Sequence, residues 1–187
     1  KSLNGPLSAA IPGVPAALDY IAQQYGQLAL TTSLAPAIHY AEHGFKIGEH
    51  YRKLAQFRLN TLSGFAETKA IFLNDNQVPE QGDILIQTDL ANTLRQLGKS
   101  GFDGFYKGDI AKKLVSSVQQ HGGIWTLDDL ANYTIKLRQP IKGSYQGYTI
   151  TSSALPSSGG IVLLSMLNQL EHLPLTKADP IQRKHLI

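Results

Sequence analysis

"YTITSSALPSSGGIVLLSMLNQL", residues 148–170, passes from a strand-like segment, through a loop of serine, proline and glycine, into an apolar run at helical spacing. What the loop does decides how the chain is read. Ser157, Ser158, Gly159 and Gly160 sit at a strand-to-helix junction. A nucleophile elbow requires Gly-x-Ser-x-Gly, with glycines tolerating a strained turn on both sides of the serine. Here Leu155 stands where the first glycine would be, and Pro156 precedes Ser157. A phosphate loop of the Walker type requires Lys directly after its last glycine, and Gly160 is followed by Ile161. Two readings stay open. Ser157 or Ser158 can cap the helix that starts near Gly160, accepting a hydrogen bond from a free N–H and contributing about 1 kcal/mol. The glycines then let another backbone approach. Alternatively, the exposed helix N-terminus holds a substrate anion. The cap is the commoner use of such serines.

Downstream, residues 161–170 are apolar except for Ser165, Asn168 and Gln169, which share one narrow stripe with His172. The rest of that helix needs protein against it. Upstream, Tyr145-Gln146-Gly147-Tyr148 reads as a tight turn and 148–151 as a returning strand, which makes a hairpin. Ile135 and Leu137 alternate with Lys136 and Arg138 and predict its first strand, with Pro140 forcing an edge or an interruption. Thr126 with Asp129 three residues on resembles a capping box that opens a short helix.

Helical periodicity fills the remainder. Leu18, Ile21, Ala22 and Tyr25 place a helix over 15–25. Leu34, Ile38, Ala41 and Phe45 place a second, stopping near Gly44. Residues 48–62 are helix-permissive, with Leu54, Phe57 and Leu62 as a weak inward stripe. Residues 69–73 predict a short extended piece before a turn at 74–77. Leu90, Leu94 and Leu97 mark a helix over 89–98. Ile110, Leu114, Val115 and Val118 mark another over 109–121, which Gly122-Gly123 ends. The expected fold class is mainly α with a short β-hairpin (α+β), as a single helical lobe over 1–187.

Hydrophobic residues make up 42% and charged residues 17% of the 187, a globular balance. No apolar run reaches the roughly 18–20 residues a membrane-spanning helix needs. There is no cysteine, which excludes disulfides and thiolate chemistry. The 17 Lys and Arg are scattered without runs, unlike the clustered basic footprint of nucleic-acid binding. His39 and His43 flank Glu42 as His-x-x-Glu-His, a string found in inverted zinc-protease motifs. No third ligand is evident, so the pair reads as structural and no metal is assigned. His121 at a helix end suits a partly positive imidazole. Asp128 and Asp129 are adjacent on a helix and point about 100° apart, which favours dipole and capping roles over a paired-carboxylate site. Tyr20, Tyr25, Phe45, Phe102, Phe105 and Tyr106 read as core and rim.

Seven blocks appear in order: "IPGVPAAL…YG", "LAPAIHYAEHGF", "GD…QTDLANTL", "FYKGDIAKKLV", "HGGIWTLDDLANY", "PIKGSYQGYTI" and "PSSGGI". Together they resemble the large-subunit portion of the gamma-glutamyltransferase family, also called gamma-glutamyltranspeptidases or glutathione hydrolases. Cephalosporin-acylase-type relatives share the architecture. The resemblance implies an N-terminal-nucleophile hydrolase whose precursor cleaves itself. The new N-terminal Thr of the small subunit then attacks a gamma-glutamyl amide, activated by its own amine. It also implies that this nucleophile lies downstream of Ile187 and the substrate-gripping arginine upstream of Lys1. No catalytic or substrate-binding residue and no cofactor is therefore assigned here. Thr31-Thr32 is no candidate, because Leu30 precedes Thr31 and leaves no free amine. The expected partners are the remainder of the large subunit and the small subunit. The expected location is periplasmic or secreted, although residues 1–6 carry no apolar signal core. The chain then reads as a piece trimmed at both ends, inactive alone and prone to self-association. The rival reading is a stand-alone helical interaction domain using the apolar face of 161–170.

Overall fold

The computed structural model describes residues 3–173. Where the sequence reads as one lobe, the chain divides into two compact units, Lys1–Ile135 and Lys136–Ile187.

The first unit is helical. After a short 3-10 turn at Pro6–Ser8, α1 (Val14–Tyr25) and α2 (Leu30–His43) follow. A two-residue strand β1 (Phe45–Lys46) leads into α3 (Glu49–Phe57), α4 (Leu59–Ser63) and α5 (Ala66–Phe72). Strand β2 (Ile84–Leu85) returns antiparallel to β1, pairing Phe45 with Leu85, a ladder the sequence did not announce. Then come α6 (Thr88–Tyr106), α7 (Gly108–Gln120) and α8 (Leu127–Ala131).

Helix α6 is the spine of this unit. Its Leu97, Phe105 and Tyr106 are buried against Ala16 of α1, Leu34 of α2, Ala111 and Val115 of α7, Trp125 and Leu130. Tyr106 is 1% exposed. Its ring lies between Phe102 and Tyr133, with centroids 4.3 and 5.4 Å away. Its hydroxyl donates to the Pro12 carbonyl and accepts from Ala16 N–H, so the burial leaves the oxygen satisfied. Desolvation raises the pKa of this phenol above its usual value.

The sequence ends this helix at Gly98, but the structure carries it to Tyr106 through a break at Gly101. There φ is +53°, a left-handed conformation that favours glycine. The buried Asp19 carboxylate accepts from Phe102 N–H at 3.0 Å and from Gln23 Nε2 at 2.9 Å. It caps the restarted turn from another helix. A Cβ at Gly101 would meet Asp19 Oδ1 at 2.5 Å.

A smaller cluster holds Ala55, Leu73 and Val78, with Tyr51, Leu59 and Leu62 against it. This corrects the reading of residues 48–62. Leu54 and Phe57 are 55% and 83% exposed, and of the expected stripe only Leu62 packs. The helix breaks at Arg58 (φ −103°, ψ 8°), so one stripe cannot run through it. Residues 69–73 are also corrected, since most of them lie in α5 rather than in an extended piece. A short apolar run such as KAIFL fits either period. The turn at 74–77 stands, closed by mutual hydrogen bonds between Asn74 and Gln77.

In the second unit, β3 (Ile141–Tyr145) and β4 (Tyr148–Ser152) form the hairpin, with Tyr145 opposite Tyr148. Gln146 and Gly147 both have positive φ, the pattern of a type I′ turn. The first strand starts after Pro140, not at Ile135 and Leu137, and Leu137 is 71% exposed. Pro140 has no N–H to give a ladder, so pairing begins behind it. Helix α9 (Gly159–Glu171) packs on the hairpin, with Leu164 over Gly143. The fold class stands: mainly α, with small antiparallel ladders.

Candidate functional site

The loop from Ala154 to Gly160 is where the sequence placed its candidates. Ser157 N–H donates to the Ala154 carbonyl at 3.1 Å, closing a turn around the cis Leu155–Pro156 bond. Helix α9 starts at Gly159, so Ser158 occupies the cap position, and its carbonyl accepts from Val162 N–H at 3.0 Å. Its side chain makes no capping hydrogen bond. The capping hydroxyl expected at this helix start is therefore absent at Ser158. The backbone explains why. Capping residues sit in the extended region, which aims the side-chain oxygen back at the first turn, whereas Ser158 is already helical at φ −77°, ψ −21°.

What anchors the helix start instead is Gly160. It is buried, and a Cβ there would meet Ile141 Cδ1 and Ser152 Oγ, each at 2.7 Å. The glycine lets the first turn of α9 press on the hairpin. Gly159, Ser157 and Ser158 face solvent. Nucleophilic serine chemistry needs a base within hydrogen-bond reach. Among the described residues, no acidic or basic side chain hydrogen-bonds to Ser157 or Ser158. The loop is thus a helix entry with exposed hydroxyls, and it leads into a helix with an apolar surface. Ile161, Val162, Leu163 and Met166 are 42–57% exposed on it. Among the described residues, nothing covers the apolar arc that the sequence requires to be buried.

The remaining candidates fall elsewhere. Thr126 and Asp129 form the expected capping box: Asp129 N–H donates to Thr126 Oγ1 at 3.1 Å, and Thr126 N–H donates to Asp129 Oδ2 at 2.8 Å. Hydrogen bonds from the Thr126 hydroxyl and then its backbone hold the Asp129 carboxyl below its ordinary pKa. His121 Nδ1 lies 2.8 Å from the Ser117 carbonyl at the end of α7. His39 and His43 are exposed on α2, and Glu42 pairs with Arg95 of α6. Among the described residues, no group of three or more His, Asp or Glu is gathered to hold a metal. Phe105 and Tyr106 are core, while Tyr25 and Phe45 are exposed. Sequence reasoning missed Asp19, a buried carboxylate whose partner is a backbone 83 residues away. No local pattern announces such a contact. No described helix is long and apolar enough to cross a membrane.

Residues 1–187 match the family model described as Gamma-glutamyltranspeptidase. The chain is 40% identical over 169 residues to the glutathione hydrolase proenzyme of Bacillus subtilis, covering 90% of the chain and 29% of that relative. The crystal structure of Helicobacter pylori gamma-glutamyltranspeptidase superposes with a TM-score of 0.92 at 34% identity, over 99% of this chain and 54% of that one. A cephalosporin acylase from Bacillus halodurans superposes with a TM-score of 0.87 at 29% identity, over 98% of this chain and 35% of that one. The chain thus spans about three-tenths of the length of the curated relatives it matches.

Proposed function

Because the chain belongs to the gamma-glutamyltranspeptidase family, we propose that it is a helical part of the large subunit of a gamma-glutamyl-transferring hydrolase. The whole protein would move a gamma-glutamyl group from a glutathione-like donor to water, an amino acid or a peptide. Its nucleophile would be the N-terminal Thr of a small subunit, with the free amine as base and preorganised donors on the tetrahedral oxyanion. The observation that carries this reading is the match along residues 1–187 together with the 0.92 superposition over 99% of the chain. In this reading the present residues shape and cover a reaction centre supplied by other segments, and no residue among them performs the chemistry. The open apolar face of α9 fits that role, as a surface awaiting the rest of the large subunit or the small subunit. We propose from the family resemblance that the whole protein is exported, periplasmic or secreted.

A chromogenic gamma-glutamyl anilide tests the reading. The purified 187-residue chain should give no turnover. The full product of the encoding gene should mature into two chains and release the chromophore. An unprocessed, inactive full product would contradict the assignment, and sustained turnover by the short chain would contradict the division of labour. The likeness to a cephalosporin acylase supports a second substrate class. Faster cleavage of a cephalosporin side-chain amide than of the gamma-glutamyl anilide by the full product would select it. The α9 face also implies that the isolated chain self-associates. Its mass by light scattering should rise with concentration and with sulfate, which strengthens apolar burial. A monomeric mass at every concentration would show that the face is satisfied within the chain.

A further inference from the structure

His39 and His43 stand one helical turn apart on α2, on the side away from the buried Leu34 and Ala41. Both side chains are exposed, and their rings stack with centroids 4.5 Å apart and planes 28° from parallel. His43 Nδ1 lies 3.1 Å from the His39 carbonyl oxygen. A carbonyl oxygen only accepts, so this contact puts a proton on Nδ1, and in the neutral imidazole Nε2 of His43 then carries the lone pair. Fixing the tautomer by a backbone carbonyl is how metal-ligating histidines are oriented. Glu42, between the two, forms an ion pair with Arg95 of α6. Among the described residues neither imidazole enters an ion pair.

We propose that His39 and His43 form a solvent-open, two-imidazole chelate for a first-row divalent transition metal ion. Two histidines at i, i+4 on one helix face can grip one ion, and imidazole suits zinc, copper and nickel. Metal–nitrogen bonds of about 2 Å require one nitrogen of each ring to turn toward a common point, and both side chains are exposed. Water fills the other coordination positions. The site is labile, because closed structural zinc sites use four protein ligands and no third protein ligand is gathered here among the described residues. Bound metal clips two successive turns of α2, and binding to the folded form alone stabilises that form by mass action.

Calorimetric titration of the untagged chain with NiCl2 or ZnCl2, alongside NMR of its imidazole protons with Ni2+, tests this. The expected result is one saturable site, with paramagnetic broadening centred on the His39 and His43 rings. H39Q and H43Q should each weaken binding roughly tenfold or more, while H50Q leaves it unchanged. Glutamine keeps helix propensity close to that of good helix formers, and circular dichroism verifies that each variant is folded. Unchanged affinity in H39Q and H43Q, broadening centred on other histidines, or no saturable binding would overturn the proposal.

Discussion

Among the described residues, the two units of this chain differ in how far they gather a buried core. In Lys1–Ile135, α6 gathers a contiguous core of large side chains, with Tyr106, Leu97 and Leu130 at 2% exposure or less. In the second unit, Gly160 is the one buried position among the described residues, and α9 exposes four large apolar side chains. A hairpin and one helix have too little surface to enclose each other, and a lone two-stranded ribbon is marginal in water. The first unit therefore owns its stability. Among its described residues, the second shows an apolar helix face with little packed against it.

The largest test of this contrast pairs two truncations. Tyr106→Ala removes a buried ring stacked on two others and should cost about 3–5 kcal/mol in urea unfolding. Met166→Ala, at a position 57% exposed, should fall within about 0.5 kcal/mol of the parent. Comparable losses at the two sites would break the comparison.

A smaller effect separates the two helix entries. Thr126→Ala removes the hydroxyl that accepts from Asp129 N–H and donates to the Asp129 carboxylate, leaves the Thr126 N–H bond to that carboxylate in place, and should cost about 0.5–2 kcal/mol. Ser158→Ala removes a side chain with no capping bond and should be close to neutral. The first loss should shrink in acid. The folded-state pKa of Asp129 lies below its ordinary value, so its contribution is present above the unfolded pKa and is lost as pH falls through the folded one. The gap between wild type and Thr126→Ala, measured from neutral to strongly acid pH, should narrow. A constant gap would remove Asp129 from the account.

The pattern of success and failure in reading the sequence has the same physical origin. The spans of α1, α2 and α7 and the box at Thr126 were legible, because helical spacing and capping are local, although Ile21 and Tyr25 of the face read for α1 are 54% and 75% exposed. The last turns of α6 were not, because the apolar spacing of Leu90, Leu94 and Leu97 ends at Gly98. A carboxylate on α1, distant in sequence, holds that restarted turn. Residues 69–73 fit either period, and a neighbouring cluster drew Leu73 inward. The first strand of the hairpin was displaced because Ile135 and Leu137 alternate like a strand, while the pairing partner of β4 begins only after Pro140. At the candidate loop, the sequence marked the right junction, with Ser157, Ser158, Gly159 and Gly160 all at the start of α9. The hydroxyl's role depended on one ψ angle, which residue identity does not set.

Native-state hydrogen exchange, read helix by helix on dilute chain, addresses the central contrast most directly. Amides of α6 and α7 should exchange only through global unfolding, and those of β3, β4 and α9 through local opening at much lower free energy. Equal protection across the two sets would contradict the account, showing that the hairpin and α9 close a core of their own.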